Sequence, residues 1–400
     1  MSIPFNVPGW AIGDSLALAR QLPDESIDCI VTSPPYWGLR SYLADDDPSK
    51  ALEMGAEPTL AEYVERLVVL FRELRRALKD GGTCWLNLGD SYSGGGMSNP
   101  SATSTLGGGK DRGAAGYSLS RLPSQSGLKP KDLCLVPYRV ALALQADGWW
   151  LRDNIVWHKP NPMPASVTDR CTSAHEAVFL LTKSARYFYD AEAVKEASSW
   201  GRTNNPEWQH QRAATNERKG AGNRNAKDGG FTAWQPENGR NKRNVWTIPT
   251  RPYSGSHYAV MPPALVEPCI QAGCPHKVCV ECGAPWERVT ESSKVETFGG
   301  TPKTAGRKAQ GLQSSKSTIG RTKAWKPGER TTTTLGWEPT CEHEAGTAQG
   351  LVLDPFGGSG TVGQVAESLG RKWLLFDLDA RNEALMKKRT AQRSLLGMIR

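Results

Sequence analysis

The chain has 400 residues, 41 of them glycine and 27 proline, so a folded core shares its length with insertions and long irregular stretches. Its formal net charge of +8 suits a polyanionic partner such as nucleic acid. No basic flank leads into an apolar run at the start, and no stretch reaches the ~18 apolar residues of a membrane span, so neither a signal peptide nor a membrane partner is expected.

Trp10-Ala11-Ile12 reads as a short strand ending at the acidic turn Gly13-Asp14, and Ser15 to Leu22 reads as a helix that Asp14 is placed to cap. The β-branched run Ile27 to Thr32 predicts a buried strand, and Thr32-Ser33-Pro34-Pro35-Tyr36-Trp37 ends it. Two consecutive prolines lack amide donors and hold the backbone extended, which makes a rigid turn. In open α/β sheets, ligands bind at the carboxyl ends of strands. A proline-rich turn before surface aromatics is the plain alternative.

Ser-Pro-Pro-Tyr after a hydrophobic strand resembles the catalytic motif of DNA amino-methyltransferases, which methylate cytosine N4 or adenine N6 with S-adenosylmethionine. An exocyclic amine is a poor nucleophile because its lone pair is delocalised into the ring. The resemblance implies that the Ser33 side chain and Pro34 carbonyl accept the amine's hydrogens, with Pro35 stiffening the turn. Tyr36 and Trp37 are then expected to stack on a base flipped from the duplex. It also implies that Asp14 lies beside the cofactor's adenine and that Thr32 borders the cofactor.

Thr59 to Ala77 is a clear helix, with a Thr59–Glu62 capping box and a stop at Gly81-Gly82. The strand Cys84 to Leu88 follows, then Gly89-Asp90; strand, helix, strand in this order predicts a right-handed parallel crossover. Residues 91–127 are too long for an ordinary connection and read as a mobile DNA-contacting loop or as disorder without function. Pro137 to Asp147 reads as a helix and Asp153 to Trp157 as a strand, leading into His158-Lys159-Pro160-Asn161-Pro162-Met163-Pro164. This segment, and His175-Glu176 before the strand Ala177 to Leu181, also resemble the same enzymes and imply that Lys159 and Asn161 border the target base.

Residues 196–250 carry nine Lys/Arg against five acids, with Trp200, Trp208 and Trp234 interleaved. Arg reads base edges and holds phosphates, so Arg202, Arg240 and Arg243 are candidates for DNA contact; a solvated surface is the alternative. Asn244 to Ile248 resumes order, and His257 to Pro263 precedes a helix from Ala264 to Ala272. By the resemblance, that segment closes over the methionine part of the cofactor.

Five of nine cysteines fall between Cys269 and Cys341, a clustering that favours metal over disulfides. Cys279 and Cys282 form a knuckle-like turn, and Cys341 with His343 supplies a second pair, together a candidate closed structural zinc site. Cys274 and His276 are competing ligands, and a redox pair is the rival reading.

Leu351 to Asp354 predicts a buried strand running into Pro355-Phe356-Gly357-Gly358-Ser359-Gly360-Thr361, then a helix from Thr361 to Leu369. Glycines let backbone approach a ligand, and a helix amino terminus favours a carboxylate. Trp373 to Asp377 is a strand ending in an acid placed for ribose hydroxyls, and Asn382 to Arg400 reads as a helix. DPFGGSGT resembles the adenosylmethionine loop of the same family, which implicates Asp354 through Thr361 and Asp377 in cofactor binding.

With the catalytic turn first and the cofactor loop last, the chain resembles the β arrangement of these enzymes. The implied fold is α/β: a Rossmann-like, circularly permuted methyltransferase sheet with a target-recognition insertion and a small zinc-ribbon-like insertion. The expected domains are 1–195 (catalytic half, loop 91–127), 196–250 (target recognition), 251–277 and 346–400 (cofactor half) and 278–345 (zinc insertion). In the resembling family Ser at the first catalytic position goes mostly with cytosine-N4 enzymes and Asp with adenine-N6 enzymes, so the resemblance implies cytosine N4 over adenine N6 for Ser33. C5 methylation would need a thiolate, which Pro268-Cys269 offers only superficially, since it lies before the cofactor loop on a predicted helix; in RNA or protein amide methylation, enzymes of the resembling kind more often have Asn at position 33. A non-catalytic zinc-ribbon DNA-binding protein would leave both motifs idle. Double-stranded DNA is the expected partner, with a homodimer and a cognate restriction endonuclease as further candidates. A prokaryotic or phage-infected cytoplasm is the expected location.

Overall fold

The computed structural model describes residues 3–39, 41–93, 127–196, 240–250, 260–292 and 332–394. Most of the 91–127 loop, the segment 251–259 and Arg202 with Trp200, Trp208 and Trp234 lie outside the described residues. The chain divides into two units: Met1–Val194 with Arg243–Glu287 and Glu338–Arg400, and Lys195–Lys242 with Arg288–Trp337. The expected insertion 278–345 is therefore split, its cysteine-bearing ends going with the first unit.

In chain order the elements are β1 (Gly9–Ile12), α1 (Ser15–Ala19), β2 (Ile27–Thr32), α2 (Leu60–Ala77), β3 (Leu78–Leu88), α3 (Val136–Ala146), β4 (Trp150–His158), β5 (His175–Thr182), β6 (Val245–Thr247), α4 (Pro263–Gly273), β7 (Val278–Cys279), β8 (Trp286–Ser292), β9 (Thr332–Pro339), β10 (Thr347–Ala348), β11 (Leu351–Asp354), α5 (Thr361–Ser368), β12 (Lys372–Asp377) and α6 (Asn382–Ser394). Eight strands form one mixed sheet in the order β1-β12-β11-β2-β3-β5-β4-β6. Strands from β1 to β3 run parallel, β5 is antiparallel to both neighbours, and β4 pairs parallel with β6.

The central strands are buried on both faces, which explains their continuous apolar runs. Alternate residues split between two cores, as a period of two demands. Ile30, Leu86, Phe179 and Phe376 pack with α1, α2 and α3, whereas Val31, Trp85, Val178 and Leu375 pack with α4 and α5. α2 forms as expected, with the reciprocal Thr59–Glu62 capping box present. Its end differs: the helix passes straight into β3 at Leu78, and Gly81-Gly82 lie within the strand. A Cβ at Gly82 would come within 3.0 Å of the Asp28 carbonyl and closer still to Leu78, so this glycine permits close packing and does not stop a helix.

Candidate active site

β11 continues through α5 to β12 on one side, and β2 continues through α2 to β3 on the other. These outward turns, with helices on opposite faces, make the β11/β2 boundary a topological switch point, where a crevice opens at the carboxyl ends. A cavity of 1510 Å³ is found there, lined by Asp14, Ser33–Tyr36, Asp90, Glu176, Gly358 and Asp377 among others. That exceeds the ~300–1,000 Å³ that holds one drug-sized ligand, leaving room for two.

The turn after β2 is held from behind. Tyr63 donates its hydroxyl to the Pro35 carbonyl (2.9 Å), and Gly55, at φ +91°, backs the turn where a Cβ would be 3.1 Å from the Tyr36 carbonyl. The Pro34 carbonyl meets no donor among the described residues. Trp37 departs from expectation. Its side chain is 1% exposed in the core and its indole N–H donates to the Glu57 carbonyl at 2.9 Å, so it cannot stack on a base. Tyr36, just before the turn that Trp37 begins, takes the cavity side instead.

Tyr36 belongs to a polar network that sequence reasoning missed. Ser33 Oγ donates to the Tyr36 hydroxyl (3.3 Å), which lies 2.8 Å from Glu176 Oε2 and 3.1 Å from Asn87 Oδ1. Asn87 Nδ2 donates to Glu176 Oε2 (3.2 Å) and to the Ala177 carbonyl (3.2 Å). Lys159 pairs with Glu176 Oε1 and lies over the Trp157 ring. Burial, together with the Glu176 carboxylate, holds the Tyr36 phenol well above its usual range. The ring rests on Gly89, where a Cβ would be 2.5 Å from Tyr36 Cε2. Asn87 carries a sequence signal after all: it is the polar residue inside the apolar run of β3. Asn161 points elsewhere than expected, exchanging two hydrogen bonds with Thr250 (3.1 and 2.9 Å) and so bracing the proline-rich segment. Arg240 is paired with Glu196 at 3.3 Å, and Arg243 is exposed just before β6.

At the other end of the cavity, Asp14, Phe356, Gly358 and Asp377 face the space, joined by Leu16, Leu378, Asp379 and Asn382, which sequence reasoning did not name. Carboxylates beside apolar walls suit the hydroxyls and flat ring of a nucleoside. Asp14 also caps α1, accepting from the Ala17 amide (2.9 Å), so the two readings of that residue coexist. Asp377 accepts from the amides of Gly358 (2.6 Å) and Asp379 (2.8 Å) and so sets the glycine turn.

The remaining expected cofactor residues, Thr32, Asp354, Pro355, Gly357, Ser359, Gly360 and Thr361, do not line the cavity but belong to the segments that carry lining residues such as Ser33, Phe356 and Gly358. Thr32 Oγ1 donates to Asp354 Oδ1 (2.7 Å), and the Pro355 carbonyl accepts from Ser15 Oγ (2.6 Å). A Cβ at Gly357 would meet Leu375 at 2.9 Å, and Gly360 at φ +80° starts α5. Ser359 is held by Arg389, and Thr361 is buried.

At the opposite, amino edge of the sheet, ligand atoms of Cys279, Cys282, Cys341 and His343 all lie within 4.8 Å of one another. Three sulfurs and an imidazole so gathered fit a tetrahedral divalent ion. Cys274 lies outside this group, buried against Gly350. Lys79 docks the turn, donating to the Gly283 carbonyl (3.1 Å) and to Asp28 (2.7 Å), whose other oxygen accepts from the Leu351 amide (2.8 Å) at the start of β11.

Residues 27–280 and 341–388 match the N6_N4_Mtase family, described as DNA methylase. The chain is similar to the Type II methyltransferase M.Cfr9I of Citrobacter freundii, 40% identical over 68% of this chain and 75% of that protein. It is likewise 42% identical to the Type II methyltransferase M.SmaI of Serratia marcescens over 66% of this chain and 74% of that protein. Among solved structures, PvuII DNA methyltransferase (cytosine-N4-specific) aligns with a TM-score of 0.49 and 16% identity, covering 95% of this chain and 85% of that one.

Proposed function

Since the chain belongs to the N6_N4 family of DNA methylases, S-adenosylmethionine-dependent enzymes that act on DNA, we propose that it methylates the N4 amine of a cytosine flipped from the duplex. The observation that carries this reading is an acceptor pair, Ser33 Oγ and the Pro34 carbonyl, which meets no donor among the described residues, at the wall of a cavity roomy enough for a nucleoside cofactor and a base. Two acceptors match the two hydrogens of an exocyclic amine. Holding both draws the nitrogen out of conjugation and aims its lone pair. S-adenosylmethionine supplies an electrophilic methyl group; the protein supplies position and exclusion of water. Asp14, Phe356, Gly358 and Asp377 are the residues proposed to hold the cofactor, and Ser33, Pro34, Pro35 and Tyr36 to present the base. Ser at position 33, which in the resembling family goes mostly with cytosine-N4 enzymes, is what favours cytosine over adenine in this reading.

We read the sheet as circularly permuted, since β2 with its turn comes early in the chain while its neighbour β11 with the glycine turn comes late. A structural zinc on Cys279, Cys282, Cys341 and His343 is part of the same proposal, supported by their convergence. So is a cognate endonuclease, by likeness to Type II relatives.

The test is nucleoside mass spectrometry on mixed-sequence duplex DNA incubated with the protein and methyl-labelled cofactor. Labelled N4-methylcytosine is expected. Labelled N6-methyladenine would replace the base assignment, and DNA without label would overturn the proposal.

A further inference from the structure

We propose that Glu176 is the terminal acceptor for the proton released by the methylated amine, reached through Ser33 and Tyr36. The inference rests on the amine-methylation reading. Its basis is the direction of each hydrogen bond. The Tyr36 hydroxyl is nearer Glu176 Oε2 (2.8 Å) than Asn87 Oδ1 (3.1 Å), and Asn87 Nδ2 donates to that same Glu176 oxygen at 3.2 Å. The phenol proton therefore goes to the carboxylate. The phenol oxygen is then left to accept from Ser33 Oγ (3.3 Å), and the Ser33 lone pairs are left to accept from the substrate amine. A neutral serine thus becomes a committed acceptor because a carboxylate stands two bonds behind it.

Methylation leaves the amine with one hydrogen too many. Its N–H bond breaks as Ser33 Oγ gains that proton, Ser33 passes its own proton to the Tyr36 oxygen, and Tyr36 passes its proton to Glu176 Oε2. The products are a neutral methylated base and a neutral Glu176, with the positive charge of the consumed sulfonium now carried by the transferred proton. Lys159 pairs with the other Glu176 oxygen and holds the carboxylate in place, and the cavity edge lets the proton leave to water. The other titratable or charged groups lining the cavity near Glu176, among the described residues, include His175, Asp90, Tyr92, Tyr138, Arg170 and Cys171. Glu176 acts through two other side chains and is a positioning residue, so its substitution must be read by more than rate.

The experiment compares wild type, Glu176→Gln and Tyr36→Phe on duplex DNA with labelled cofactor, measuring kcat against pH and cofactor Kd by calorimetry. Gln keeps the acceptor for the phenol but takes no proton; Phe keeps the ring on Gly89 and removes the middle of the chain. Expected are kcat losses of about 10²-fold or more in both variants, in the range of general-base contributions. Cofactor Kd should stay within about twofold, and the acidic limb of the kcat profile should be absent in Glu176→Gln. A Gln variant within about threefold of wild type overturns the inference, as does a slow variant that keeps the acidic limb. Unlabelled DNA from wild type would instead defeat the methyl-transfer reading and this inference with it.

Discussion

Ser33 and Trp37 stand four residues apart and answer to different physics. Ser33→Ala removes one of two acceptors for the amine while leaving the cofactor end of the cavity untouched. A fall in kcat of about 10²–10³-fold is expected, by analogy with loss of one oriented hydrogen bond in a closed site, with unchanged cofactor affinity. Single-turnover methyl transfer and calorimetry would check it; equal loss in both would remove Ser33 from the chemistry. Trp37→Ala should instead cost stability, about 3–5 kcal/mol for an emptied aromatic site, read as a lowered denaturant midpoint. The motif TSPPYW was legible as a site, but which of two adjacent aromatics faces the cavity was not. That depends on the path of the chain after the second proline and on Glu57, twenty residues on, which captures the indole. Glu176 was visible beside His175 in sequence, yet its role needs partners 140 and 89 residues away.

The elements differ in how much of them is local. α2 was legible from end to end because capping box and apolar spacing are properties of one segment. The start of β3 was not, because Gly82 serves contacts with β2 that only the folded sheet provides. The cysteine turn is intermediate: its own spacing predicted a knuckle, while convergence with Cys341 and His343 required the fold. If zinc holds that cluster, Cys279→Ser should reduce bound zinc in elemental analysis of the purified protein and lower its melting temperature. The effect should reach β11, because Lys79 links the turn to Asp28 and thence to the Leu351 amide. Hydrogen exchange at Leu351–Asp354 should therefore rise in the variant. A wild-type protein free of zinc, or a variant with unchanged exchange there, would count against this coupling.

At the scale of the molecule, the sheet is closed by contacts between the two ends of the chain. Thr32 and Asp354 meet across 322 residues, and Ser15 and Pro355 across 340. The Asp354 carboxyl at this seam is pushed up to about 7, chiefly by burial and a little by Asp377, against the lowering effect of bonds from Thr32 and the Phe356 amide. In the unfolded chain the same group titrates near ~3.9. Between pH ~4 and ~7 the fold therefore retains a proton that the unfolded chain has already released, so this group's contribution to stability is full below that window, declines through it and is level above it. A shift of this size corresponds to about 2–4 kcal/mol. Asp354→Asn keeps an acceptor for Thr32 and for the Phe356 amide but cannot ionise. Its stability relative to wild type should therefore rise by about 2–4 kcal/mol between pH 4 and pH 8, measured as the difference in denaturant unfolding free energy. A difference that stays constant with pH would mean that Asp354 ionises as freely in the fold as in the open chain, and that the seam between the two ends carries no buried acid.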